Sequence, residues 1–225
     1  MTEDKYKDYL IKGIEQLKLN FVCNENKVNQ LLQYLKLLDK WNKTYNLTAI
    51  TNIEDMINFH LLDGLSILPY LGNIDKIRDI IDVGSGMGVP GVIIAICYPQ
   101  FNVTVLDSNS KKTAFLQQVA IELKLKNLIV KCQKVEKYIP LEKFDIVVSR
   151  AFAASNVFIN LTKHLVKDSG VIIAMKSNKV EIEVLELPRD CIYELINVSI
   201  PKIDVSRFLL KMWGFHASKK NNSSS

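Results

Sequence analysis

A carboxylate followed by glycines at every second position, Asp82-Val83-Gly84-Ser85-Gly86-Met87-Gly88, is the stretch of this chain best suited to chemistry. Gly84, Gly86 and Gly88 carry no β-carbon and take positive φ without strain, so the backbone can turn sharply and lie against a ligand. Two registers fit. Gly86-Met87-Gly88-Val89-Pro90-Gly91 satisfies the G-x-G-x-x-G pattern of dinucleotide sites, whereas Asp82-x-Gly84-x-Gly86-x-Gly88 places an acid first. A pyrophosphate brought beside Asp82 would be repelled, while the ammonium and sulfonium of S-adenosylmethionine would be attracted, so the acid-first register is the better match. A structural glycine turn that binds nothing is the third reading.

Further residues could complete such a cleft. Asp107 ends the run Val103-Thr104-Val105-Leu106, and an acid about 20 residues past the glycines can accept both hydroxyls of a ribose. Ser108 or Ser110 can cap the helix that follows, leaving Asp107 for the ligand. Val135-Glu136 comes after a third apolar run and can reach an adenine edge, although a Glu among Lys131, Lys134 and Lys137 can equally be a solvated surface charge. Arg150 ends Phe144-Asp145-Ile146-Val147-Val148-Ser149. Its planar fork can grip a carboxylate or an RNA phosphate, or pair with a surface acid. Phe152 can stack on a base or belong to the core. Lys176, closing Ala174-Met175, is the lysine aimed most directly at the cleft. His60 and Asp63, three apart, share a helix face and either bond one another at the surface or line the active cleft. Arg150, Lys176 and His60 are candidates for positioning; none is assigned as a general acid or base.

The residues after the fourth run also speak to the acceptor. Exocyclic amino groups are usually methylated beside an Asn/Asp-Pro-Pro-aromatic loop, and pyrimidine carbons with a nucleophilic Cys; here the chain has Ser149-Arg150-Ala151-Phe152. A ring nitrogen fits better. Guanine N7 has an in-plane lone pair and no proton to lose, so it needs positioning more than a base.

The elements that must hold these residues follow from periodicity. Tyr6, Leu10, Ile14 and Leu17 predict a helix over 6–19, and Val28, Leu31, Leu32, Leu35 and Leu38 predict a second, capped by Asn24 or Asn26. Thr51, three residues before Glu54, has capping-box spacing for a third helix running to about Leu68, with Pro69 as its stop. From Ile80, apolar β-rich runs alternate with helical segments: 80–83, 102–106, 127–130, 144–149, 171–175, 192–200 and 208–213. Alternation predicts a mostly parallel sheet with helices on both faces. The short link 201–207 leaves no room for a crossover, so the last two strands are antiparallel neighbours. Pro90 suits the first turn of a helix over 92–97, whose free amides would point at the ligand. The predicted organisation is a helical extension over 1–78, a cofactor-binding unit over 79–216 and a flexible tail over 217–225.

Composition sets outer bounds. The chain has 225 residues, 48% of them hydrophobic, enough for one sizeable core. Absence of an apolar run of about 18 residues or a charged-then-apolar leader predicts a cytoplasmic protein without a membrane span. Cys23, Cys97, Cys132 and Cys191 are scattered singly, which predicts buried thiols and neither zinc nor a disulfide framework. Residues 1–79 hold 10 Lys+Arg against 11 Asp+Glu, and 80–225 hold 19 against 13, so the first part is near neutral and the part with the glycine loop carries +6. Eight lysines between Lys111 and Lys143 suit a polyanion. Competing readings are a nucleotide-dependent oxidoreductase using the Gly86 to Gly91 register, and a non-enzymatic RNA-binding module supported only by the lysines. His164 and His216 are assigned no role.

Taken together, the residues resemble the ribosomal RNA small subunit methyltransferase G family, also called glucose-inhibited division protein B, of the class I methyltransferases. The matching segments are Tyr45-Asn46-Leu47-Thr48, His60-Leu61-Leu62-Asp63, Asp82 through Gly91, Leu106-Asp107-Ser108, Val135-Glu136, Ser149-Arg150-Ala151-Phe152 and Ala174-Met175-Lys176, in the family's order. The resemblance implies a Rossmann-like α/β fold with a seven-stranded, mostly parallel sheet and an antiparallel C-terminal strand. It implies methyl transfer from S-adenosylmethionine to N7 of a guanine in the decoding-region loop of 16S rRNA; the expected partner is 16S rRNA or the small ribosomal subunit particle, and the expected state a monomer. It also implies that Gly84, Val89, Val135, Glu136 and Arg150 contact the cofactor. Met87 departs from the family, in which proline is common there.

Overall fold

The computed structural model of the chain describes residues 3–215. His216 and the tail expected over 217–225 lie outside them. Two amphipathic helices come first, α1 (Glu3–Gln16) and α2 (Glu25–Tyr45); Asn24 caps α2, its side chain accepting from the Asn26 amide. The third helical region is less regular than its sequence predicts. Asn52, not Thr51, is the cap, accepting from the Glu54 and Asp55 amides, and one turn of α3 (Ile53–Met56) passes into a π-helical segment (Ile57–Leu62) and then α4 (Asp63–Leu65). Regular helix thus ends before Leu68, and Pro69 falls inside a 3-10 turn (Leu68–Tyr70).

Seven strands follow: β1 (Asp79–Val83), β2 (Asn102–Asp107), β3 (Leu128–Cys132), β4 (Phe144–Arg150), β5 (Val166–Lys176), β6 (Ile192–Val198) and β7 (Arg207–Trp213). Helices α5 (Gly91–Cys97), α6 (Ser110–Glu122), α7 (Ser155–Thr162) and the single turn α8 (Val180–Glu183) connect them. The sheet order is β3-β2-β1-β4-β5-β7-β6. β1 to β5 pair in parallel, and β7 is antiparallel to both β5 and β6. This is the α/β sheet with an antiparallel C-terminal strand that the sequence predicts. Chain order reverses between β1 and β4, and in such sheets the ligand crevice opens beyond the carboxyl ends of the strands flanking that point.

Residue parity on the strands sorts the core into two layers. Ile80, Val103, Val105, Ile146, Val148 and Ile173 pack with α5, α6 and the N-terminal helices, whereas Ile81, Val83, Val147, Ile172, Phe158 and Ile159 form a separate cluster under α7. Parity also puts the Asp82 side chain on the face of Ile80, under α5. Of the thiols expected to be buried only Cys97 is; Cys132 is exposed on the edge strand β3. Among the described residues no helix is long and apolar enough to cross a membrane.

Candidate functional site

The glycine loop leaves β1 at the switch point with its backbone largely spoken for. The Gly84 and Ser85 amides both donate to the Leu106 carbonyl, at 2.8 and 3.1 Å, and the Gly88 amide donates to Ser85 O at 2.7 Å. Ser85 Oγ donates to Asp82 O at 2.7 Å, and Tyr34, reaching across from α2, donates its hydroxyl to Met87 O at 2.9 Å. Gly84 and Gly86 have φ of +67° and +59°, where a side chain would be strained. The turn is therefore rigid without a proline at Met87.

Asp82 does not face a ligand. It is fully buried, and its Oδ2 accepts from the Gly91 amide at 2.8 Å while Oδ1 has no hydrogen-bond partner. Burial pushes its carboxyl up to about 7, outweighing the Gly91 amide and the Arg150 charge, which pull it down. The direct attraction expected between Asp82 and a cation is replaced by a structural tie: the acid fastens the start of α5 to the tip of β1. The Val92 and Ile94 amides are taken as well, by Gly88 O at 2.7 Å and Pro90 O at 3.0 Å, so most of the first turn of α5 is bonded within the fold and not free for a ligand as its sequence suggests. Gly88 also leaves the site; a β-carbon there would run into Val92 and Leu116. These ties speak against the Gly86 to Gly91 register, because the Gly91 and Val92 amides at the start of α5 are not free to meet a pyrophosphate.

The other residues singled out by sequence surround two adjoining cavities. The smaller, about 390 Å³, is lined by Asp107, Ser108, Lys112, Lys134, Val135 and Glu136. The larger, about 670 Å³, is lined by His60, Asp63, Gly84, Gly86, Val89, Arg150 and Lys176 among others. Gly84, Lys112, Ala151 and Phe152 border both. Asn109, rather than Ser108 or Ser110, caps α6. Asp107 is not left wholly free by that cap: Oδ1 accepts from the Asn109 amide at 2.8 Å and Oδ2 from Gly86 at 2.9 Å. Each oxygen keeps a second lone pair for a hydroxyl. Of the eight lysines, Lys112 and Lys134 reach a cavity wall.

His60 and Asp63 are both buried and do not bond each other. His60 Nε2 lies 3.1 Å from Thr48 Oγ1. Burial, with the Arg150 charge added, lowers its pKa to about 4, so the ring is neutral at pH 7. Asp63 binds two arginines, Oδ2 to Arg150 Nη1 at 2.9 Å and Oδ1 to Arg207 Nε at 3.2 Å. Arg150 Nη1 also donates to Phe59 O in the π-helical segment at 2.7 Å. The guanidinium is thus held by one nitrogen, and its remaining donors stay available toward the cavity. Lys176 bonds the Ala153 carbonyl and Glu183 Oε2, the same oxygen that accepts from the Ser155 amide and hydroxyl. Burial raises the Glu183 carboxyl, but Lys176 and Ser155 outweigh it and hold the group below its usual range. Arg207, Glu183 and Tyr34 carry no sequence signal beyond type, and only the fold reveals them.

The set suits S-adenosylmethionine: bare glycine backbone at the centre, acid acceptors with spare lone pairs on one side, and an arginine fork on the other. A family model described as rRNA small subunit methyltransferase G, GidB, matches residues 27–209. The chain belongs to that family. It is 45% identical over 204 residues to the ribosomal RNA small subunit methyltransferase G of Chromobacterium violaceum, covering 90% of this chain and 95% of that one. The corresponding Hydrogenovibrio crunogenus protein is 47% identical over 190 residues, covering 84% and 86%. Solved structures share the fold at much lower identity. A precorrin-6y C5,15-methyltransferase from Geobacter metallireducens aligns at TM-score 0.52 and 14% identity over 67% of this chain and 85% of its own. A SAM-dependent methyltransferase from Aquifex aeolicus gives 0.51 and 14% over 67% and 89%. Membership of the methyltransferase G family makes the chain an S-adenosylmethionine-dependent methyltransferase.

Proposed function

We propose that this chain methylates N7 of a guanine in the decoding-region loop of 16S rRNA. The observation that carries the reading is the pair of cavities meeting over Gly84, one lined by Asp107, Val135 and Glu136, the other by Arg150. Asp107 would accept the ribose hydroxyls, Val135 and Glu136 would border the adenine, and Arg150 would hold the amino-acid carboxylate with the donors that Asp63 leaves available. Gly84 and Gly86 permit the close approach, and Val89 closes the wall behind them. When bound, S-adenosylmethionine supplies a methyl whose S–C bond breaks as the bond to N7 forms, and no proton moves.

The protein's share of the work is therefore orientation. Neutral His60 adds no charge where a cation passes from sulfur to the purine, and Phe152, 37% exposed on the cavity wall, offers a flat face to the base. Lys112, Lys179 and Arg207 stand on the larger cavity and suit the phosphates of the flanking nucleotides. The proposal extends to a cytoplasmic monomer, with residues 1–78 as a helical extension of the cofactor-binding unit 79–216, acting on rRNA or on the small-subunit particle. Labelled S-adenosylmethionine incubated with free rRNA and with small subunits separates those two substrates. Mass analysis of rRNA from a deletion strain should show one lost methylguanine; an unchanged set of methylated bases would sink the proposal.

A further inference from the structure

We propose that the Phe152 ring is a gate on the cofactor cleft, closing the passage between the two cavities and swinging off Gly84 when a ligand is to span them. This rests on the S-adenosylmethionine reading above and adds a moving part to it. Three observations carry it. The ring occupies the space where a β-carbon on Gly84 would stand, so it covers the stretch of backbone that the glycine keeps bare. Phe152 and Gly84 border both cavities, and a molecule with one end at Asp107 and the other at Arg150 has to cross that line. The third observation is how the segment is tethered.

Its two ends are fixed. On the β4 side Ser149 Oγ donates to Val83 O at 2.7 Å and Arg150 is held by Phe59 O and Asp63. On the α7 side Lys176 bonds Ala153 O, and Glu183 takes both donors of Ser155. Between them, no hydrogen bond holds Ala151 or Phe152 among the described residues. Ala151 has φ +54°, a left-handed conformation disfavoured for a residue with a β-carbon, so leaving it costs little. The ring lies 5.8 Å from that of Phe158 between centroids and the residue is 37% exposed, so it has an apolar neighbour and also access to solvent. A short hinge between two anchored ends lets the ring move without disturbing Arg150 or Lys176.

The experiment is stopped-flow association of S-adenosylhomocysteine and S-adenosylmethionine with the wild-type chain, Phe152→Ala and Phe152→Leu. Removing the ring should raise the association rate about fivefold, the rate equivalent of releasing one aromatic contact. In a Phe152→Trp variant the emission of the new indole should shift when S-adenosylhomocysteine is added, above the change seen with the native Trp41 and Trp213 alone. Association rates in both truncated variants equal to or slower than wild type, or emission from the introduced indole that binding does not alter, would overturn the gate while leaving the cofactor assignment standing. A wild-type chain that binds neither compound would overturn the cofactor reading, and the gate with it.

Discussion

Asp82 and Gly91 are fitted to one another beneath the glycine loop: Asp82 Oδ2 accepts from the Gly91 amide at 2.8 Å, and a β-carbon on Gly91 would stand 2.8 Å from the same oxygen. The acid at the strand tip is thus a fastener for α5, and its replacement should act first on stability. Asp82→Ala strands a buried amide and should cost about 1–3 kcal/mol, whereas Asp82→Asn keeps an acceptor and should cost less. Thermal melts of the two variants test the ranking; equal losses would contradict the fastener.

The same carboxyl makes stability depend on pH. Its folded pKa, about 7, lies above its ordinary 3.8, so the native state holds a proton that the unfolded chain releases. The associated stability is complete below about 4 and is lost as pH rises toward 7. His60 runs the other way: lowered from 6.5 to about 4, it contributes stability above 6.5 that is lost as pH falls toward 4. The two partly cancel in the native chain. Relative to wild type, Asp82→Asn should be progressively destabilised as pH is lowered through this window, and His60→Gln should be progressively stabilised. Denaturant titrations at pH 5, 6 and 7 would read both slopes, and parallel curves for all three proteins would refute the assignment.

Asp63 holds Arg150 and Arg207 with its two oxygens, though its side chain is only 5% exposed. Removing it leaves two guanidinium groups without their counter-ion, and loss of one partner from a buried pair costs roughly 3–5 kcal/mol, less here because both arginines keep some solvent. Asp63→Asn should leave a folded protein that binds S-adenosylhomocysteine about tenfold more weakly, a loss of about 1.4 kcal/mol, because Arg150 is no longer oriented. Calorimetry that finds unchanged affinity would remove Arg150's anchor from the account.

Gly84 should tolerate no side chain. Positive φ costs an alanine about 1–2 kcal/mol, and with the Phe152 ring swung aside the β-carbon would still fill the bare backbone against which the cofactor lies. Gly84→Ala should bind S-adenosylhomocysteine weakly, and Gly84→Asp, which adds bulk and charge, should show no methyl transfer while retaining a folded circular dichroism spectrum. Transfer by Gly84→Asp at the wild-type rate would place the cofactor elsewhere.

The local features of this protein were legible in its residues. Seven strands, their alternation with helices and the antiparallel closing pair follow from apolar period and linker length, which are properties of neighbouring residues. The helix caps illustrate the limit. Asn52 and Asn109, not the nearby Thr51, Ser108 or Ser110, take the caps, because several residues of one chemical type compete within a turn and the geometry of entry chooses among them.

The sequence alone determined that a bare-backbone turn sits between a buried strand and a helix, that Asp107, Val135, Glu136 and Arg150 end or follow strands, and which family those segments resemble. The role of each was set by the assembled fold. It turned Asp82 inward, because strand parity puts it on the face that α5 covers, and it joined Asp63 to Arg150 and Arg207, and Ser155 and Lys176 to Glu183. Those partners are far apart along the chain or belong to no repeating period. Propensity and pattern act over a few residues, whereas a hydrogen bond between Asp63 and Arg207 exists only once the sheet has brought β7 beside β5 and the core has set the start of α4 against the carboxyl ends of the strands.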